Sequence, residues 1–582
     1  MAAAVRRARS GRRLRVFLIG YLVLTAAIGW RLVTVQVVAA DEYRALAEQQ
    51  VQREVAVPAR RGKVYDRGGE ALALSLPAAS VYADPRAIAA AELDPTFIAA
   101  DLAPLLDQPM GELMDALTRD TGFVYLGRQL PRAVGDQISA MRLPGIGVLE
   151  EPQRRYPGDA LASQVVGFAG IDGDGLAGIE LQHDDLLAGT PGLLRQERAP
   201  GGVAISAAPQ EVKPPVPGED VVLTLDRAIQ HNAERVLAEA LDRHRARGGS
   251  AVALDVASGE VLAMASSPAL EPDAKEGDSY ARRNRAVTDV FEPGSVNKAI
   301  TLAAAIDSDV IGARDTRHVP EAVTVGGKRF RDSTPKPSRS LTVTEIMAES
   351  SNVGTIQIAD ELGDERMREY LDRFGFGSPT GLGFPGESGG IVPSPEGWYA
   401  TTRPTVAIGQ GVSASLLQVA GVFQAIAADG ERVEPSLVRG TVDSAGRLAA
   451  SSAPERHRVI EPETAQAVSK MLAAVVEDGT GANAAVPGYR VAGKTGTAQK
   501  PSATSRGYEE GAYVATFAGF APADDPEIAV AVMIDEPQDE IYGGVVAAPV
   551  FAELMEFALG HRRVAPTEDG EREDPAPAAR DE

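Results

Sequence analysis

The chain has 582 residues, no cysteine and a formal net charge of −23, from 81 acidic and 58 basic side chains. Its length allows several domains, and 44% hydrophobic with 24% charged residues is the composition of a folded globular chain. The acidity argues against a nucleic-acid-binding protein, and the missing cysteines remove disulfides, thiolate nucleophiles, zinc fingers and iron–sulfur clusters.

The charge is uneven. Residues 1–15 carry six arginines (Arg6, Arg7, Arg9, Arg12, Arg13, Arg15) and no acid, so the remainder carries −29. Val16 to Ala40 follows, an apolar run whose strongly polar members are Arg31 and Gln36. As a helix this run is about 37 Å long, more than the ~30 Å of a bilayer core. Arginines before it and Asp41 and Glu42 after it predict a transmembrane anchor with a cytoplasmic N-terminus. A cleaved secretory signal ending at Val38-Ala39-Ala40 is the competing reading, although such signals use apolar runs of about 7–15 residues. Both readings put residues 41–582 outside the membrane. Arg31 is read either as snorkelling to the outer headgroups or as facing a polar group on a partner membrane protein.

Next, residues 41–53 read as a polar helix, and Ala71 to Ala83 has strand character. Helices are expected at Ile88–Leu93, Thr96–Leu106, Gly111–Thr118 and Arg132–Met141, with a strand piece at Gly122–Gly127. Ala199 to Gly218 contains five prolines and reads as a linker or an exposed strand-like connection. From Asp220 the texture changes. A short strand, VVLTLD, precedes a helix over Arg227–Arg247. Ser250–Asp255 and Glu260–Ala265 alternate as a hairpin turned by Ser258-Gly259. Further strands fit Arg490–Ala498, Tyr513–Phe520 and Ile528–Ile534, a helix follows Pro549, and the tail from Val564 has the composition of a disordered segment.

Lysines are few, nine in all, which sharpens the search for chemistry. Ser295-Val296-Asn297-Lys298 is a Ser-x-x-Lys element leading into the helical run Ala299–Ile306. Residues i and i+3 share a helix face, so the Lys298 amine can reach the Ser295 hydroxyl. The first turn offers free N–H groups to a developing oxyanion. Such a lysine works as a base only if burial or a nearby positive charge lowers its pKa. Ser350-Ser351-Asn352 places a hydroxyl and an amide on one side of a short turn. Lys494-Thr495-Gly496-Thr497 lies in an expected strand, where Gly496 lets a substrate backbone lie close and the neighbouring Lys494, Thr495 and Thr497 can hold a carboxylate. Taken singly, the second element also reads as a helix cap and the third as a hairpin end. Their order, on a helix, a turn and a strand, is what singles them out.

Other matches fail on context. Ser333-Thr334-Pro335-Lys336 is interrupted by prolines. Gly488 to Thr495 fits the P-loop spacing but lacks the strand before and the helix after. Gly386-Glu387-Ser388-Gly389-Gly390 fits the nucleophile-elbow spacing without its flanking strand and helix. The six histidines include no pair at helical spacing that would suggest a metal site.

The order Ser-x-x-Lys, Ser-x-Asn, Lys-Thr-Gly resembles that of the penicillin-recognising serine transpeptidases. Arg60 to Arg67 (RRGKVYDR) resembles the juxtamembrane signature of class B penicillin-binding proteins. Arg155-Tyr156-Pro157 through Gly167, then Gly175, Gly178 and Glu180, resembles their second pedestal signature. Gly409-Gln410-Gly411, Asp478-Gly479-Thr480 and Phe517 to Pro522 resemble further blocks. The stretch FEPGSVNK and the short C-terminus resemble the cell-division (FtsI-type) branch, with an actinobacterial flavour. Ser415-Leu416-Leu417-Gln418 departs from the usual Thr-Pro-x-Gln and puts the local loop shape in question.

The resemblance implies an α+β chain: a basic tail (1–15), a single transmembrane helix (16–40), an elongated pedestal domain (41–205), a linker (206–219), a transpeptidase domain with an antiparallel sheet flanked by helices (220–562), and an acidic tail (563–582). It implies a peptidoglycan D,D-transpeptidase acting through a Ser295 acyl-enzyme. Lys298 would be the base, helped by the nearby Lys494. Ser350 would relay a proton to the leaving amine, and Asn352 would orient Lys298 and the substrate amide. Lys494, Thr495, Gly496 and Thr497 would bind the terminal carboxylate, and the N–H groups of Ser295 and Thr497 would form the oxyanion hole. No metal or organic cofactor is implied. The partners implied are peptidoglycan stem peptides, β-lactams and a polytopic lipid II polymerase (FtsW-type) of the divisome. An elongation-type transpeptidase, a D,D-carboxypeptidase, a β-lactamase-like hydrolase and a non-catalytic scaffold are the alternatives.

Overall fold

The computed structural model describes residues 2–41, 43, 52–197, 211–270, 279–443, 445–502 and 507–567. Helix α1 (Ala2–Val33) continues into a π-helical turn, Thr34–Val38. Within it Arg12–Val38, with a mean hydropathy of 1.9, is unburied and long and apolar enough to cross a membrane. The polar helix expected over 41–53 lies mainly outside the described residues, and its last two, Gln52 and Arg53, instead open a strand, Gln52–Val57. The connection expected over 199–218 lies outside them as far as residue 210 and then contains a short strand, Glu211–Lys213. The expected disordered tail lies outside them from residue 568.

The chain forms two compact units: Met1–Arg60, Pro77–Gln153 and Thr190–Val216 make one, and Arg61–Leu76, Arg154–Gly189 and Pro217–Glu582 the other. The first has its own core, built on Val81, Ile88, Ile98, Leu102, Leu113, Leu126 and Ile138. Two of its helices begin at Asp-Pro pairs. The Asp84 carboxylate accepts from the Ala87 N–H at 3.0 Å and Asp94 from the Thr96 N–H at 2.9 Å, each followed by a proline at the first helical position. These caps set the helix starts ahead of the apolar residues, so the helix expected at Ile88–Leu93 is found at Pro85–Ala90.

In the second unit the two signature segments meet at one buried carboxylate. Glu180 accepts from the Arg61 Nε at 2.6 Å and from the Arg154 Nε at 2.7 Å, and Arg61 also pairs with Asp184 at 2.6 Å. A carboxylate fully withdrawn from water persists only with such compensation, which ties residues about 120 positions apart.

The larger part of this unit is built around a five-stranded antiparallel sheet. Its strands are β1 (Gly248–Asp255), β2 (Val261–Ser267), β3 (Ala492–Pro501), β4 (Tyr508–Ala521) and β5 (Ile528–Asp535), in the order β2-β1-β5-β4-β3. Helices α2 (Arg227–His244), α3 (Lys298–Asp307), α4 (Val343–Ala348), α5 (Asn352–Leu362), α6 (Leu416–Ala427), α7 (Pro462–Glu477) and α8 (Ala548–Arg562) complete it. Burial on both faces explains the unbroken apolar run of β5. Val530, Val532 and Ile534 join a core with α2 and α8. Ala529, Ala531 and Met533 join a second core with α3, α6 and α7. This is the expected α+β arrangement, an antiparallel sheet flanked by helices.

Candidate active site

Ser295 does not start the α-helix, as its sequence suggests, but sits in a 3₁₀ turn, Gly294–Asn297, that leads into α3 at Lys298. Side chains three apart eclipse in a 3₁₀ turn, so Ser295 and Lys298 still share a face. Two glycines set how close this turn comes to strand β3. A Cβ on Gly294, whose φ is +58°, would lie 3.0 Å from the Thr497 carbonyl oxygen, and a Cβ on Gly496 would lie 2.8 Å from that of Pro293. Gly496 therefore admits the backbone of the Ser295 turn. The contact also brings the Thr497 amide beside the Ser295 turn.

Lys298 is fully buried at the start of α3. Its amine lies 2.6 Å from the Ser350 carbonyl oxygen, 2.7 Å from Asn352 Oδ1 and 3.2 Å from Ser350 Oγ. Among the described residues it forms no hydrogen bond with Ser295. Burial pushes its pKa down to about 7, against the opposing pull of the Asp332 carboxylate. Two of the three partners can only accept. The Ser350 hydroxyl can also donate, so it is the partner able to follow the lysine's proton.

The turn carrying Ser350 is held from both sides. Thr342 and Glu345 form a reciprocal capping box at the start of α4. Ser351 caps α5 by accepting from the Gly354 N–H at 3.1 Å, so the cap and the site are one structure. Ser350 between them has a φ of +56°, a left-handed conformation that non-glycine residues adopt at a cost of about 1 kcal/mol or more.

Sequence reasoning missed Asp332. Its carboxylate accepts from the Ser351 hydroxyl at 3.0 and 3.1 Å and from the Val353 N–H at 2.9 Å. The neighbouring Arg331 carbonyl accepts from the Asn352 amide at 3.0 Å. The signal was faint, a single acid after the basic strand Lys328–Arg331. Because Asp332 pulls the Lys298 pKa up, Asp332→Asn is expected to move the pH midpoint of penicillin acylation downward. An unchanged midpoint in a stopped-flow pH series would show that the carboxylate does not act on the lysine.

Lys494 is also fully buried, and its amine lies 3.2 Å from both the carbonyl oxygen and Oγ1 of Thr495. Its pKa is held well below the usual lysine value by burial and then by the charge of Lys298. Burial is the largest cause lowering Lys298. Thr495 Oγ1 meets Thr480 Oγ1 at 2.9 Å, and Thr497 Oγ1 accepts from the Gly543 N–H at 3.1 Å.

The second unit thus sets Ser350 and Asn352 around the buried Lys298 amine, with Ser295 one turn before it, and sets strand β3, with Lys494 to Thr497, against the Ser295 turn. Residues 249–556 match the family model "Penicillin binding protein transpeptidase domain", and residues 56–223 match "Penicillin-binding Protein dimerisation domain". The chain is a class B penicillin-binding protein. It is 35% identical over 570 residues to penicillin-binding protein PbpB of Mycolicibacterium smegmatis, covering 92% of this chain and 88% of that one. It is 32% identical over 546 residues to peptidoglycan D,D-transpeptidase FtsI of Escherichia coli, covering 92% and 89%. The crystal structure of penicillin-binding protein 3 of Mycobacterium tuberculosis with aztreonam superposes with a TM-score of 0.70 at 33% identity, covering 88% of this chain and 98% of that chain.

Other blocks of this penicillin-binding protein gain physical reasons. Gly409 accepts from the Gly294 N–H at 3.0 Å, and a Cβ on Gly409 would strike the Gly294 carbonyl. Thr480 donates its N–H to the Ala348 carbonyl at 3.2 Å, joining Asp478-Gly479-Thr480 to the end of α4. The departure at Ser415 leaves the loop intact. Ser415 and Gln418 form a capping box on α6, and Gln418 donates to the carbonyls of Gly375, Ser378 and Gly389. Of the rejected matches, Lys494 and Thr495 lie in a strand, as no P-loop allows, and Lys336 pairs with Glu349 at 2.9 Å. Among the described residues one group could hold a metal ion: Glu434, Glu455 and His457, with ligand atoms within 4.8 Å of one another. It shares no residue with the Lys298 cluster.

Proposed function

We propose that this penicillin-binding protein crosslinks peptidoglycan through a Ser295 acyl-enzyme. Ser295 attacks the carbonyl of the penultimate D-Ala of a stem peptide, D-Ala leaves, and the amine of a second stem peptide takes the acyl group. The observation that carries the assignment is the buried Lys298 amine, held by Ser350 and Asn352 with its pKa pushed down to about 7. At neutral pH a large fraction is uncharged and able to take the Ser295 proton. With two N–H groups kept on the Ser350 carbonyl and Asn352 Oδ1, the amine's lone pair faces the hydroxyl side. Ser350 then relays the proton to the leaving amine.

The N–H groups of Ser295 and Thr497 form the oxyanion hole, which the contact of Gly294 with Thr497 supports. Lys494, Thr495, Gly496 and Thr497 receive the terminal carboxylate. β-Lactams, which mimic D-Ala-D-Ala, acylate Ser295 by the same route.

The apolar helix serves as a single-pass anchor, with the arginines in the cytoplasm and residues 41–582 outside. Residues 41–205 act as the pedestal and 220–562 as the transpeptidase domain. Relatives named FtsI and PbpB support a role at the division septum, beside a polytopic lipid II polymerase (FtsW-type). Labelling the full-length protein with a fluorescent penicillin and mapping the modified peptide by mass is expected to place the label on Ser295. A label on any other residue would overturn the assignment.

A further inference from the structure

One buried acid beside the nucleophile has no part in the reaction as described. Glu292 lies three residues before Ser295 and is only 9% exposed. Its segment is fixed on both sides: Phe291 exchanges backbone hydrogen bonds with Ala414, and Gly294 donates to Gly409. The Glu292 Oε1 accepts from the Gly411 N–H at 2.8 Å, and the Tyr508 hydroxyl donates to Oε2 at 3.1 Å. A carboxylate offers about four acceptor sites, so about two remain.

Among the described residues no lysine, arginine or histidine lies within 4.0 Å of these oxygens. Lys328 bears on the carboxylate electrostatically but packs over the Phe330 ring, 5.0 Å from its centre. An unpaired buried carboxylate is costly. The contacts do not require the charge, since one glutamine oxygen could accept from both Gly411 and Tyr508. The negative charge is therefore surplus to the fold. It is carried three residues before Ser295, on the segment that Phe291 and Gly294 pin to residues 409–414.

We propose that Glu292 is the acceptor-side residue, whose carboxylate holds the ammonium of the incoming amine against the Ser295 acyl-enzyme and takes its first proton. The proposal rests on the reading of Ser295 as nucleophile. The amine nitrogen forms its bond to the acyl carbon as the bond from that carbon to Ser295 Oγ breaks. Of the three ammonium protons, one passes to Glu292, one reaches Ser295 Oγ through Lys298, and one stays on the new amide. Glu292 then returns its proton to solvent. Burial raises its pKa, which makes it a stronger base than an exposed carboxylate.

The test uses the full-length protein with a thioester donor ending in D-Ala and with D-alanine as the amine acceptor. The ratio of aminolysis to hydrolysis is measured, alongside acylation by a fluorescent penicillin. In Glu292→Gln, aminolysis is expected to fall about tenfold or more beyond any fall in penicillin acylation. Glu292→Asp should recover part of the ratio. An unchanged ratio, or aminolysis and acylation falling in parallel, would overturn the proposal. Penicillin labelling of the unmodified protein at a residue other than Ser295 would instead overturn the nucleophile assignment beneath it.

Discussion

Replacing Lys298 with alanine is expected to slow penicillin acylation of Ser295 by about 10²–10⁴-fold, the range a positioned general base supplies. A serine hydroxyl is a weak nucleophile until a base takes its proton, and in the proposed reaction the buried Lys298 amine, on the same face as Ser295, is that base. A purely structural explanation is separable. Lys298→Arg keeps hydrogen-bond donors for the Ser350 carbonyl and Asn352 Oδ1, yet a guanidinium does not give up its proton near neutrality. The arginine variant is therefore expected to stay as slow as the alanine variant while melting near the unmodified protein. Recovery of the rate in Lys298→Arg would show that the amine orders the site rather than acting as a base.

The second large effect is on pH. With its pKa pushed down to about 7, Lys298 should make the acylation rate rise about tenfold per pH unit below that value and level off above it. The stability consequence runs the same way. A lysine that binds its proton more weakly when folded than when unfolded disfavours the folded state fully at low pH. That penalty is relieved as pH rises from about 7 toward the unfolded value of 10.5. The difference corresponds to about 5 kcal/mol at most. Lys494, lowered by burial and by Lys298, adds in the same direction. Urea unfolding between pH 6 and 9 should show stability climbing in the unmodified protein and climbing less in Lys298→Met. A flat or falling acylation profile across the same range would contradict both readings.

What the sequence made legible follows from where the information sits. The sheet was readable because its strands carry apolar runs such as Ile528–Ile534, and α2 because its apolar positions recur at helical spacing. One helix of the first unit, expected from Ile88, starts three residues earlier, because Asp84-Pro85 acts through a cap that hydrophobicity does not report. The three candidate elements, at Ser295, Ser350 and Lys494, could be found because each is contiguous. Asp332 could not, because it acts across a turn on Ser351, nor could the close approach of Gly496 to the distant Pro293 carbonyl. The lowering of both lysines comes first from their burial, which no spacing encodes.

The left-handed Ser350 carries a further consequence. Its backbone conformation is one that glycine adopts freely, and only the hydroxyl gives serine a reason to be there. Stability and the proposed proton relay therefore favour different residues at this one position, and a search for hardier versions of this protein guided by melting temperature alone would be drawn toward losing the hydroxyl beside Lys298.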